Sequence, residues 1–354
     1  MPYDPTTKDI LHHATLTSAV NEIRDPNNLI KNEVFGADRP VNTRTVEVSI
    51  KKRGRKMAPL VKRDGAAVMT EGRTDEFFVL TPAHVRIKRP MSPTELLEER
   101  RAGRTIFIDS GAQQQAIQEY MADELSMQMD DHTNTEEFLA CQALRGGYTY
   151  DQGDGVNISV DFRRSASHTV TLTGTDLWDD AASNPQLTIL EIMELINDDS
   201  GLVVTDMYMG SNASDAFVAN DEVQRYLETR RLVTGSVDLT QQVQQNGAIF
   251  LGAPFHGVNA WRYSRKITLP DGTSFDLIRP DYVEFVCRTP QAEMVTYYGA
   301  IEDMKAIGEG RVLQSKRFSK SWEVEDPSAR MLLTESNPLP VMRRPDTTAS
   351  VKVV

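Results

Sequence analysis

The 354-residue chain is poor in cysteine, in aromatic residues and in long apolar runs. Cys141 and Cys287 are its only cysteines, too few for a disulfide framework or a cysteine zinc site, and they read as free thiols suited to a reducing compartment. No apolar stretch approaches the roughly 18 residues that span a bilayer. The first thirty residues carry no basic start followed by an apolar core, so neither a membrane nor a secretory reading is supported. Aromatics are 7% of the chain, but hydrophobic residues are 40% and charged residues 25%. That profile excludes disordered and collagen-like classes, and the length predicts about two domains, or one with large excursions.

Catalytic and cofactor signatures are also missing. The sequence contains no P-loop, no Gly-x-Ser-x-Gly elbow, no His-Glu-x-x-His and no Gly-x-Gly-x-x-Gly; Gly308-Glu309-Gly310 supplies only two glycines. Asp130-Asp131-His132 is the most metal-like cluster, but adjacent helical residues point to different faces, which favours a solvated polar break. Asp179-Asp180 and Asp198-Asp199 read as capping and solvation beside helix ends. His12, His13 and His168 have no visible acid partner, and Ser211, after Met209-Gly210, reads as an N-cap rather than an anion site. The sequence thus points to no enzyme, cofactor or metal.

What the chain does have is an uneven charge. Its net −12 conceals a basic block over 44–104, with 15 basic and 8 acidic side chains, and an acidic block over 105–250, with 6 basic and 24 acidic. A basic patch can bind nucleic acid through counterion release, yet this chain also carries its own acidic complement.

Periodicity orders the remainder. Residues 1–43 read as an irregular arm with little core of its own and one weakly amphipathic stretch, Ile10 to Ile23. Val46, Val48 and Ile50 alternate with Glu47, Ser49 and Lys51, the period of a half-buried strand. The chain then runs through basic, glycine-containing tips and resumes strand character at Phe77–Leu80 and Val85–Ile87. Too few apolar residues lie between 51 and 76 to make a core, and an isolated hairpin is marginal in water, so this excursion needs something to lie on. Ile117, Tyr120, Met121, Leu125 and Met129 predict a long helix of up to some 30 residues, with a break near His132, a capping box at Thr133/Glu136 and a stop at Gly146-Gly147. Alternation over Val156–Phe162 and Thr169–Thr173 predicts a hairpin. Asn184-Pro185 opens a helix that ends at Gly201. Leu202–Met209 reads as a buried strand, two short helices start at Ser211 and Asp221, and strands return from 249 onward, with a turn at Pro270-Asp271-Gly272.

This order of parts resembles the major capsid proteins of tailed bacteriophages, specifically the lambda-like major head protein family. The resemblance rests on Phe78 through Arg89 (FVLTPAHVRIKR), Gly147 through Tyr150 (GYTY), Leu227 through Arg231 (LETRR) with Gly235-Ser236, Asp326 through Arg330 (DPSAR) and Ser336 through Pro340 (SNPLP). It covers most of the chain from about residue 40. It implies an α+β tailed-phage major capsid fold of the Hong Kong phage type. The N-terminal arm would be 1–43, the extended β-hairpin loop 44–91, and the axial α/β domain 175–290. The peripheral domain would be 92–174 with 291–354, its spine helix at about 110–145. It further implies a shell subunit that forms pentamers and hexamers around packaged double-stranded DNA, with portal and scaffold proteins as partners, a decoration protein as a further one, and assembly in the bacterial cytoplasm. Some relatives crosslink Lys to Asn, and no such pair is matched in this sequence.

Lys51, Lys52, Arg53, Arg55, Lys56, Lys62 and Arg63 are expected to dock on acidic surface of an adjacent copy, a heterologous contact of the kind rings and lattices need. Two other functions compete: an α/β enzyme using 184–230, and a nucleic-acid accessory protein using 51–63. The second lacks the interleaved aromatics that single-strand binding uses.

Overall fold

A computed structural model describes residues 13–22, 28–51, 57–63, 69, 75–92, 110–151, 157–226, 244–245, 247–308, 315–326 and 328–354. Its centre is a mixed seven-stranded sheet. In spatial order the strands are β7 (Thr169–Thr171), β19 (Thr348–Lys352), β14 (Tyr282–Val286), β8 (Asp206–Met209), β11 (Asn259–Arg262), β10 (Ala248–Gly252) and β9 (Gln244–Gln245). Strand β8 is buried on both faces, so its period-two alternation divides it between two cores. Met207 and Met209 face one core with Val283, Phe285, Ala349 and Val351, while Tyr208 faces the other.

Helix α4 (Pro185–Ser200) covers the first face through Ile189, Ile192 and Ile196. Its start matches the sequence signal: Asn184 Oδ1 accepts from Leu187 N at 3.2 Å, with proline in the first turn. Its end is Gly201 at φ 73°, a left-handed cap that glycine adopts without strain. Helix α5 (Ser211–Ala219) follows, but its N-cap is Gly210 and Ser211 lies inside the helix, which corrects the expected serine cap. The reason is steric. A Cβ on residue 210 would sit 2.1 Å from Arg279 O and 2.5 Å from Pro280 O.

The second core is organised by the long helix α3, Ser110–Leu144, about 52 Å at 1.5 Å per residue. It runs through His132 without the predicted break. Thr133 and Glu136 do not form a capping box: Thr133 Oγ1 donates to Met129 O at 2.7 Å, and Glu136 accepts from Arg317 Nη2 and Tyr298 OH, each at 3.1 Å. Tertiary partners absorb the polar groups that sequence reads as a helix start. On either side of this polar stretch, Met121, Leu125 and Met129 pack with Leu16, Val20, Met91 and Leu332, while Phe138, Leu139, Ala143 and Leu144 enter the main core.

The N-terminal segment has more core than predicted. Helix α1 (His13–Glu22) lies on β16 (Phe318–Val324), with Thr17 Oγ1 donating to Ser319 O at 3.2 Å. Helix α2 (Leu29–Glu33) buries Leu29 and Ile30, and β1 (Ala37–Pro40) pairs in parallel with β15 (Met294–Tyr298). The N-terminus of α2 is capped from a distance. Glu137 on α3 accepts from Ile30 N at 3.0 Å, Lys31 N at 2.8 Å and Tyr263 OH at 2.7 Å. Asn28, the formal N-cap, turns instead to Thr133 O and Arg265.

Two pairings differ from the sequence expectation. The strand at Asn157–Asp161 (β6) pairs with Gly147–Asp151 (β5) and not with 169–173, which instead adds β7 alongside the C-terminal β19. And β4 (Val85–Met91), counted with the excursion, pairs with β17 (Ala329–Ser336) beside β16. Both cysteines are buried free thiols. Burial pushes Cys287 up to about 12.

Candidate functional site

The described root of the excursion is a two-stranded antiparallel ribbon, β2 (Val46–Lys51) and β3 (Asp75–Leu80), in register from Val46↔Leu80 to Lys51↔Asp75. Alternation sorts its side chains. Val46, Val48 and Ile50 are buried, and Phe78 and Leu80 pack on the same core. The opposite face carries Glu47, Ser49, Phe77 and Val79, with Phe77 77% and Val79 66% exposed. Beyond the ribbon, Met57, Leu60 and Met69 are also largely exposed. Phe77 and Val79 make an exposed apolar pair on this face that the charge-based reading did not anticipate. Its signal was present in the sequence: Phe77-Phe78-Val79-Leu80 is apolar in both phases, and a ribbon that packs on one side must expose the other.

The seven predicted docking cations divide into three groups. Lys52, Arg53, Arg55 and Lys56 lie outside the described residues. Lys62 and Arg63 are exposed. Lys51 is engaged within its own chain: its ammonium bonds both Glu293 oxygens, with Oε2 at 2.6 Å. Arg343 completes this root. Its Nη1 lies 3.0 Å from Glu293 Oε2, its Nη2 donates to Ser49 Oγ at 2.8 Å, and its carbonyl accepts from Lys51 N at 2.8 Å. Burial works to raise the Glu293 carboxyl, but the Lys51 hydrogen bond and the Arg343 charge outweigh it and hold its pKa below the ordinary value. Glu293 has φ 54°, a left-handed conformation uncommon outside glycine. The other strand is tied at Glu76, which pairs with Arg163 at 3.0 Å, while the Arg163 guanidinium stacks 4.5 Å over Phe78.

The metal-like cluster is not assembled. Asp131 pairs with Arg89 Nη2 at 2.7 Å, whereas His132 turns inward, its Nε2 3.1 Å from Thr334 Oγ1. Because Thr334 donates to Gln128 Oε1 at 2.7 Å, its hydroxyl accepts from the imidazole. Among the described residues no group of three His, Cys, Asp or Glu side chains is arranged to hold a metal, and no helix is long and apolar enough to cross a membrane. His168 does have an acid partner, contrary to the sequence reading: Nε2 lies 2.8 Å from Asp199 Oδ2 and Nδ1 2.9 Å from Thr348 O. Residue 199 is 31 positions away, and helix α4 brings it back.

A sheet carrying a long flanking helix and a tethered ribbon with an apolar outer face is the geometry to compare with known proteins. The model of the family described as phage major capsid protein E matches residues 12–353. The chain belongs to that family. It is 27% identical over 327 residues to the P21 prophage-derived major head protein of Escherichia coli O6:H1 (strain CFT073), covering 89% of this chain and 91% of that protein. It is 28% identical over 299 residues to the major capsid protein of Escherichia phage N15, covering 80% of each. Among solved structures, the putative capsid protein of a prophage from E. coli CFT073 superposes with a TM-score of 0.71 at 16% identity, over 97% of this chain and 99% of that one. A phage-related protein from Bordetella bronchiseptica RB50 gives 0.52 at 14% identity over 96% of each. The fold is the tailed-phage major capsid fold, and this capsid protein forms the shell of the virion from copies of itself. Its role is structural.

Proposed function

We propose that this capsid protein builds pentamers and hexamers in which the 44–91 excursion of one subunit lies on its neighbour. The observation that carries this reading is the outer face of the β2–β3 ribbon: Phe77 and Val79 stand in solvent beside a ribbon whose inner face is already packed. Exposed contiguous apolar surface on a soluble subunit marks an interaction site. A head-to-tail contact of this kind closes rings and extends curved lattices. The contact is apolar at its centre, with Lys62, Arg63 and the remaining basic residues Lys52, Arg53, Arg55 and Lys56 steering it toward acidic surface on the next copy. Lys51 acts differently, fastening the root of the excursion to its own subunit through Glu293.

On this reading the chain divides into an arm (1–43), the extended loop, a peripheral domain built around α3, and an axial domain (175–290). The shell encloses double-stranded DNA on its inner face without sequence specificity, and the chain carries out no catalysis. Portal and scaffold proteins are its assembly partners, a decoration protein is a further one, and assembly takes place in the bacterial cytoplasm.

Electron microscopy of expressed protein tests this. Closed shells or capsomers are expected from the unaltered chain. Reversing Arg53, Arg55 and Lys56 to Glu is expected to block them while leaving the monomer's unfolding transition in place, and shells forming normally from that variant, with unchanged salt dependence, would sink the docking model.

A further inference from the structure

A depression of about 380 Å³ lies where the end of α3, the β5–β6 hairpin and the segment 164–169 meet. It is lined by two arginines, Arg145 and Arg164, and by three hydroxyls, from Thr149, Ser159 and Thr169. Neither arginine has a carboxylate within ion-pair distance among the described residues. Arg164 spends its guanidinium on neutral acceptors: Leu144 O at 2.9 Å, Arg145 O at 2.8 Å and Thr169 Oγ1 at 3.0 Å. Arg145 Nη2 donates to Leu277 O at 3.0 Å, and Arg145 Nε is buried with no hydrogen-bond partner. A buried donor left unsatisfied is uncommon in a folded protein and leaves the Arg145 charge incompletely compensated.

Two further observations point the same way. Gly146 and Gly147 line the depression and leave no room for a side chain: a Cβ on Gly146 would meet Arg164 Nε at 2.9 Å, and one on Gly147 would meet Val160 O at 2.6 Å. Asp161 lines the depression, but its Oδ1 accepts from Arg163 N at 2.8 Å and is turned to that backbone. Burial also holds both guanidinium pKa values below the usual arginine value, with Glu284 acting in the opposite sense and Arg279 adding to the lowering.

We propose that this depression is an oxyanion site that takes a phosphate group between Arg145 and Arg164, with the Thr149 and Ser159 hydroxyls completing its hydrogen bonds. Planar guanidinium forks suit such an anion. The group can come from free inorganic phosphate or from a nucleic-acid backbone, and the two are separable.

The experiment is calorimetric titration of the full unassembled chain with inorganic phosphate and, in a separate arm, with a short single-stranded oligonucleotide, against chloride at matched ionic strength. Saturable phosphate binding that chloride does not mimic is expected. The Thr149→Val, Ser159→Ala double variant alters two exposed hydroxyls that contact each other at 3.2 Å, so the fold is preserved, and binding should weaken about tenfold or more. Arg145→Gln should abolish it, with circular dichroism confirming the fold. Binding of the oligonucleotide alone, weakened by the same substitutions, assigns the backbone as the source. Phosphate and chloride acting alike with no oligonucleotide binding, or binding indifferent to the pocket substitutions, overturns the site.

Discussion

Replacing Glu137 should detach the N-terminal segment from the long helix. Its carboxylate accepts three hydrogen bonds from buried donors, two of them the N–H groups of Ile30 and Lys31 at the start of α2. Glu137→Ala leaves all three without an acceptor, at about 1–3 kcal/mol each. Against this, removing a buried carboxylate recovers desolvation free energy, which is why burial raises the Glu137 pKa above the ordinary value despite Lys31 N–H, Tyr263 OH and Ile30 N–H pulling it down. The net expected loss is about 3–5 kcal/mol. Glu137→Gln keeps one acceptor oxygen but presents an amide to donors, and should cost about 1–3 kcal/mol. Denaturant unfolding of the unassembled chain measures the total, and amide hydrogen exchange at Ile30 and Lys31 locates it, with protection falling roughly a hundredfold or more for the alanine variant. The pH dependence has a definite sign. With the folded pKa above the unfolded one, folding takes up a proton, so the penalty is full at high pH and fades as pH drops through the folded pKa. The Gln variant lacks that slope. An alanine variant within about 0.5 kcal/mol of the parent, with Ile30 and Lys31 still protected, would refute the remote cap.

Three further outcomes follow from the same geometry. His132 is held neutral, its pKa lowered to about 3 by burial first and Arg317 second; the stability it contributes is present above the unfolded value near 6.5 and lost as pH falls toward 3, on the order of 5 kcal/mol. His132→Gln, which can still donate to Thr334, should flatten that acid limb, and an unchanged acid midpoint would show the histidine is not its source. Gly210→Ala drives a Cβ into two backbone carbonyls that cannot rotate away and should cost about 1–3 kcal/mol, read as a lowered melting temperature; a neutral result would mean that the 279–282 turn yields freely. Phe77→Ser with Val79→Ser should abolish shell formation seen by electron microscopy while the monomer melts within about 0.5 kcal/mol of the parent; intact shells would place the neighbour contact elsewhere.

Local signals in the chain carried much of this protein. Alternation at Val46–Ile50, the asparagine and proline at 184–185, the glycine at 201 and the turn at 270–272 each describe a conformation that nearest neighbours decide, and the structure adopts all four. The exposed apolar pair of the ribbon is equally legible in Phe77-Phe78-Val79-Leu80, although charge alone points to the lysines and arginines. Helix α3 shows where local rules stop. His132, Thr133 and Glu136 resemble a break and a new cap because their partners, Thr334, Asn28, Arg317 and Tyr298, are over a hundred residues away. The same distance hid the pairing of β7 with β19, the claim of β17 on β4, and the tie of Lys51 to Glu293. Period and capping are short-range preferences that composition and spacing determine by themselves. Which buried polar group meets which, and which cation is free to reach a neighbour, was decided only when the tertiary fold closed loops of a hundred to three hundred residues and left each buried donor in need of an acceptor.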